Sequence, residues 1–223
     1  MDWILVAGQE LGANKLSQWL ASTNLASNFQ YGFGSADVVL FIVQGAGSIN
    51  ISGREFEFAT SSGIYVAPGE TFAISRIENG PLQMLVGACP ESSAAPQLGS
   101  TSMLFDHSVP SRVVPLADQE RHATADRFYQ LLVNEKLGEC RVTQFIGSIP
   151  RSKAPEHFHD YEEIIMVLQG TGIFWTEQKS APIHTGSIIY LPRKQPHCVQ
   201  CTDEDGMQLV GMFYPAGSPT VRY

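Results

Sequence analysis

"PEHFHDYEEIIMVLQGTG", residues 155–172, sets two histidines one residue apart, follows them with paired glutamates and closes on an apolar run ending at Gly170 and Gly172. In an extended chain alternate side chains share a face, so His157 and His159 project together while Phe158 turns toward packing. Glu163 has the parity of the histidines and Glu162 the opposite one. An unbroken strand therefore sends Glu163 to the same interior and leaves Glu162 as a solvated partner. A third imidazole, His197 in "YLPRKQPHC" (190–198), follows a strand ending at Leu191 and two prolines whose turn re-aims the chain inward. Three neutral imidazoles and one carboxylate suit a divalent transition metal (Fe, Mn, Ni, Co, Cu or Zn) and leave coordination positions open, an arrangement of catalysis more than of scaffolding.

The same stretch also recurs in outline. "VQGAGSI" at 43–49 resembles "LQGTGIF" at 168–174, an offset of 125 residues. "SGIYVAPGE" at 62–70 aligns with "GSIIYLPRK" at 186–194, and "LVG" at 85–87 with "LVG" at 209–211, both at an offset of 124. Three matches in one order at nearly one spacing indicate two copies of a β-rich unit. Short runs such as "DVVLFIVQG", "GIYVAPG", "EEIIMVLQG" and "GSIIYLP", punctuated by Gly or Pro, predict many antiparallel strands. Two segments have a helical pattern, "ELGANKLSQWLAS" (10–22) and "LADQERHATADRFYQLL" (116–132), the end of the second being equally able to start a strand. Residues 89–113, rich in Ser, Pro, Ala and Gly, are expected to be a linker between domains at 1–98 and 99–223.

Composition narrows the function classes. Of 223 residues, 43% are hydrophobic and 16% charged, enough apolar surface for a folded core. A net charge of -8 supplies no basic stripe for phosphates, which argues against nucleic acid and membrane surfaces as partners and toward a small-molecule substrate. The N-terminus lacks a basic leader, "VVLFIV" is too short to span a bilayer, and four cysteines make no disulfide framework, so a cytoplasmic location is expected. The Cys198/Cys201 pair has no second CxxC beside it. Parity places Cys201 with His197 as a pocket-lining residue and Cys198 in packing.

These residues resemble the cupin superfamily, whose motifs are G(X)5HXH(X)3,4E(X)6G and G(X)5PXG(X)2H(X)3N. His157, His159, Glu163 and Gly170 fit the first, and Gly186, Pro192 and His197 the second. Arg151, Lys194 and Cys201 stand where the family has Gly, Gly and Asn; none of these is a ligand position. The resemblance implies an all-β protein of two tandem double-stranded β-helix (jelly-roll) barrels with few short helices. At the offsets of the repeat the ligands fall on Gly32, Gly34, Val38 and Ala73 in the first copy, so one metal per chain is expected, in the C-terminal barrel. The first copy then packs as a pseudo-dimer within one chain, or the chain forms a homodimer.

The ligand set implies a metal-dependent enzyme acting on a phenolic, enediol or 2-oxo acid substrate, first as a dioxygenase similar to quercetinase-like cupins, with Glu163 moving protons. The alternatives are a non-redox Lewis-acid isomerase, lyase or hydrolase and a non-catalytic ligand-binding barrel. Candidate substrate-side residues are Arg151, Lys153, Tyr161, Met166, Trp175, Tyr190 and Cys201.

Overall fold

A computed structural model describes residues 1–99, 104–138, 140–177 and 179–220. Strands hold 57% of the chain, and among the described residues the helical turns are three short 3-10 segments, which makes the protein all-β. Among the described residues, no helix is long and apolar enough to cross a membrane. The first sheet contains β1 (Asp2–Ala7), β2 (Ser17–Thr23), β3 (Gln30–Gly32), β4 (Asp37–Ile51), β5 (Arg54–Phe58), β6 (Ser62–Val66), β7 (Thr71–Cys89), β8 (Gln97–Gly99) and β9 (Val113–Pro115). The second half holds β10 (His122–Thr124), β11 (Arg127–Val133), β12 (Thr143–Ile149), β13 (Glu162–Gln169), β14 (Thr171–Thr176), β15 (Lys179–His184), β16 (Ile188–Leu191), β17 (Cys198–Cys201) and β18 (Met207–Tyr214).

The two halves share a strand order. β1-β2-β7-β4-β6 in the first is matched by β11-β12-β18-β13-β16 in the second, and all pairings are antiparallel. The repeated Gln-Gly-x-Gly has a backbone cause. Gly45 and Gly170 both take positive φ, 104° and 92°, where a side chain is disfavoured. Two residues on, a Cβ at Gly47 or Gly172 would collide with a carbonyl of the neighbouring strand, that of Arg76 or of Gln200.

Alternation along β13 explains how the site is held. Ile165 and Val167 face the interior of the second half, while Ile164, Met166 and Leu168 face the first half. There they join Val39, Phe41 and Leu85, so the inter-half face is an apolar core of its own. Glu162 lies on that covered face. Contrary to its reading as a solvated residue it is 2% exposed, and its carboxylate accepts from the backbone N–H of Asn14 at 3.0 Å and of Lys15 at 2.8 Å.

Both helical readings are corrected. Residues 10–22 give a single 3-10 turn (Gln9–Leu11) and then β2, which pairs with both β1 and β7. Residues 116–132 give a second 3-10 turn (Leu116–Asp118) and the hairpin β10–β11. In each case ladder pairing to distant strands outweighs local helix propensity. The segment 89–113 carries β8 and leads directly into β9, both paired to the first sheet, with residues 100–103 outside the described residues.

Candidate metal centre

The HxH segment is not part of a regular strand: β13 begins only at Glu162, and His157 makes an isolated antiparallel bridge with His197. The two backbones exchange hydrogen bonds, His157 N–H to the His197 carbonyl at 3.1 Å and the reverse at 2.9 Å. His197 arrives through the Pro192–Pro196 turn, where Lys194 donates its N–H to the His159 carbonyl at 2.8 Å. Lys194 adopts φ 63°, a left-handed conformation that explains why glycine is the family's residue at this point of the motif.

Each imidazole is oriented by a carbonyl two residues away. The Nδ1 atoms of His157, His159 and His197 lie 3.0, 3.1 and 2.8 Å from the carbonyl oxygens of Pro155, Tyr161 and Gln195. A carbonyl only accepts, so Nδ1 carries the proton in each ring and Nε2 presents a lone pair. His159, Glu163 and His197 are buried, and their donor atoms all lie within 4.8 Å of one another. His159 Nε2 is 2.9 Å from a Glu163 carboxylate oxygen, yet it is buried with no hydrogen-bond partner, because in this tautomer both atoms are acceptors. Two acceptors in that contact are reconciled by a cation, so the donor set fits a metal. His157 is half-buried, its ring 4.5 Å from that of His197 and outside the compact triplet.

Burial, reinforced by His157 and His159, lowers the His197 pKa to about 4, against the opposing effects of the Gln195 carbonyl and Glu163. The unfolded chain, with an ordinary imidazole near 6.5, takes up this proton first. The stabilisation from keeping His197 neutral is therefore complete above pH 6.5 and declines as the pH falls toward 4. For chelator-treated protein this predicts a urea-unfolding free energy lower at pH 4.5 than at pH 7.5 by up to about 3 kcal/mol. A flat profile across that interval contradicts it.

The triplet faces a cavity of about 110 Å³ whose walls include Phe145, Ile165, Leu209 and Val199. Of the substrate-side candidates only Tyr161 lines it, its ring stacked on His159 at 3.9 Å. The others are corrected. Arg151 is exposed and paired with Glu204. Lys153 sits 4.0 Å over the Trp175 ring. On β14 it is Phe174 that turns inward and stacks on His197, which puts Trp175 on the opposite face. Met166 packs against the first half, and Tyr190 does so too, with its hydroxyl donating to the Gly12 carbonyl at 3.1 Å. Cys201 lies in the core away from the cavity wall, its thiol directed at the Asp203 carbonyl. Thr124, Arg127, Phe128 and Tyr129, from the hairpin read as helix, do line the cavity. Only recognition of that hairpin brings them to notice.

Residues 148–213 match the Cupin_2 family model, described as "Cupin domain". Sixty-eight residues are 38% identical to "HTH-type transcriptional activator RhaS" of Klebsiella pneumoniae (strain 342), covering 30% of this chain and 24% of that protein. The activator of the same description from Pectobacterium carotovorum subsp. carotovorum (strain PC1) is 31% identical over 65 residues, 29% of this chain and 23% of that one. The chain thus spans about a quarter of the length of these curated relatives. Among solved structures, Ylba from E. coli is similar at a TM-score of 0.73 and 14% identity, over 99% of this chain and 85% of that one. A deletion mutant of Bacillus subtilis oxalate decarboxylase gives 0.77 and 13%, over 96% and 72%. Salicylate 1,2-dioxygenase from Pseudoaminobacter salicylatoxidans gives 0.74 and 10%, over 95% and 73%. At these identities the likeness is one of fold, here the cupin jelly roll.

Proposed function

We propose that the protein is a metal-dependent enzyme of the dioxygenase type acting on a small oxygenated organic molecule, with one divalent transition metal held by His157, His159, Glu163 and His197 in the C-terminal barrel. The first half is a second cupin barrel without ligands. The observation that carries the reading is the convergence of a buried, partnerless imidazole nitrogen, a second imidazole and a carboxylate on one small cavity with largely apolar walls. Such a metal, when bound, supplies a Lewis-acidic and, for Fe, Mn, Ni or Cu, redox-active centre for substrate oxygens.

The chain's own contribution is orientation and an apolar setting. The carbonyls of Pro155, Tyr161 and Gln195 fix the three tautomers, and Tyr161 stacks on the His159 ring. Phe145, Ile165, Leu209 and Val199 give the reacting centre largely apolar walls. Glu163, 4% exposed, is the group placed to hold or pass a proton at its carboxylate oxygen. The fold neighbours include an enzyme named for dioxygenation, which favours this chemistry, and oxalate decarboxylases, one described with Mn(II) centres. The second reading, a ligand-binding sensor, draws on the RhaS activators, which match residues of this chain over about a quarter of their own length.

Elemental assay of purified protein, followed by oxygen-electrode traces with flavonol, catechol and 2-oxo acid panels, tests the proposal. About one metal per chain and substrate-dependent oxygen uptake are expected. Metal-dependent turnover without uptake transfers the assignment to Lewis-acid chemistry, and ligand binding without product transfers it to a sensor.

A further inference from the structure

Glu162 and Glu163 are neighbours that point opposite ways. Glu163 belongs to the compact triplet, whereas Glu162 is buried on the face turned to the first half. Burying a carboxylate is costly unless donors satisfy it, and here main-chain N–H groups of the first half do so. Asn14 donates to Oε1 at 3.0 Å and to Oε2 at 3.2 Å, and Lys15 donates to Oε2 at 2.8 Å. The same loop is tied twice more to the strands of the site. The Tyr190 hydroxyl on β16 donates to the Gly12 carbonyl at 3.1 Å, and the buried Leu16 joins Ile164 of β13 in one apolar cluster. Glu162 is also the first residue of β13. It pairs with Tyr214 of β18, while the ladder to β16 starts only at Glu163. A strand end paired on one side frays easily, and the loop of the first half pins this one.

What the pinned strand end holds in place is the surroundings of one ring. The residue before Glu162 supplies the carbonyl that faces His159 Nδ1 at 3.1 Å, and the residue after it supplies the carboxylate 2.9 Å from His159 Nε2. The groups facing the two ring nitrogens thus flank the clamped residue. We propose that Glu162 is a positioning residue of the metal centre, through which residues 12–16 of the first half fix the His159 tautomer and the place of Glu163. This deepens the metal-enzyme reading and rests on it for the use of the triplet. It gives the first half a part in the site, although Gly32, Gly34, Val38 and Ala73 stand at its own ligand positions. The competing role for Glu162 is a staple between the halves, which would contribute stability and leave the surroundings of His159 unchanged.

Two measurements on the full chain separate these roles in wild-type protein, Glu162→Met and Glu162→Gln. Long-range proton–nitrogen NMR of histidine-labelled, metal-free protein at pH 7.5 reads the tautomer of each ring, and calorimetric titration with Mn(II) and Zn(II) reads metal affinity. Wild-type protein is expected to show His159 as the single Nδ1–H form and to bind one metal. In Glu162→Met both tautomers of His159 appear and metal affinity falls about ten- to a hundred-fold, the range for a group that orients a ligand. His197, held by the Gln195 carbonyl, keeps its wild-type tautomer. Glu162→Gln retains one acceptor oxygen at the same reach and restores part of both. Should Glu162→Met fail to fold, by circular dichroism, Glu162→Gln decides the matter, and wild-type values in it overturn the proposal. A folded Glu162→Met that unfolds at lower urea but keeps the wild-type His159 tautomer and metal affinity makes Glu162 a staple and overturns the positioning role alone. A second His159 tautomer in Glu162→Met, in a chain whose wild type takes up neither metal, upholds the positioning of His159 and overturns the metal reading instead.

Discussion

His159→Ala is expected to yield a folded protein that no longer retains metal, with affinity lower by at least about 100-fold and oxygen uptake abolished. His159 is 2% exposed, and its Nε2 sits 2.9 Å from the Glu163 carboxylate as a buried acceptor without a donor. Removing it takes away one arm of the compact triplet, a larger loss than the ten- to hundred-fold cost of disturbing a residue that merely orients a ligand. His157→Ala is expected to cost less than His159→Ala, because that ring is half-buried and lies beside the compact triplet against His197. Metal titration under anaerobic conditions, with folding checked by circular dichroism, reads both. If His159→Ala holds one equivalent as tightly as wild-type protein, the triplet is not the site.

What the sequence disclosed follows the range of the interactions involved. The strand pattern, the Gln-Gly-x-Gly repeat and the HxH spacing are local: Gly170 is glycine because of its own φ of 92°, and its twin Gly45 obeys the same constraint. The hairpin β10–β11 was hidden because its two-residue turn is Ala125-Asp126, with Ala125 at φ 56° where Asn or Gly would have announced a turn. A helical pattern over 116–132 gives no sign that Arg127 and Tyr129 line the cavity. Parity placed Glu163 with the histidines despite the break in the strand before Glu162. The same parity argument failed for Glu162, since what covers its face is Asn14 and Lys15, 148 and 147 residues away in sequence. Nor does parity tell how deep in a core a residue lies, so Cys201, read as lining the pocket, lies on the expected face but away from the cavity wall.

Arg112→Met is expected to remove stability without touching the metal centre, the converse of His159→Ala. Arg112 ends the Ser- and Pro-rich segment that composition marks as a linker, yet it is fully buried. Its guanidinium makes a bidentate pair with Glu70 at 2.6 and 2.8 Å and donates to the Val109 carbonyl at 2.6 Å and the Asp106 carbonyl at 3.0 Å. It also stacks on the Phe105 ring at 4.5 Å, which ties residues 105–112 onto the first sheet. Substitution strands the Glu70 carboxylate. The N–H groups of Ala67 and Asp106 still donate to it, but no cation offsets its charge. Loss of one partner of a buried pair costs about 3–5 kcal/mol, whereas exchanging both for apolar groups is often close to neutral. Urea unfolding of Arg112→Met should show a deficit in that range, and the double variant Arg112→Met/Glu70→Met should recover a substantial part of it. A single-variant deficit below about 1 kcal/mol, the size of a surface pair, would mean that the clasp does not hold the segment. Metal content should remain at the wild-type value throughout, because every partner of Arg112 belongs to the first sheet or to the segment lying on it.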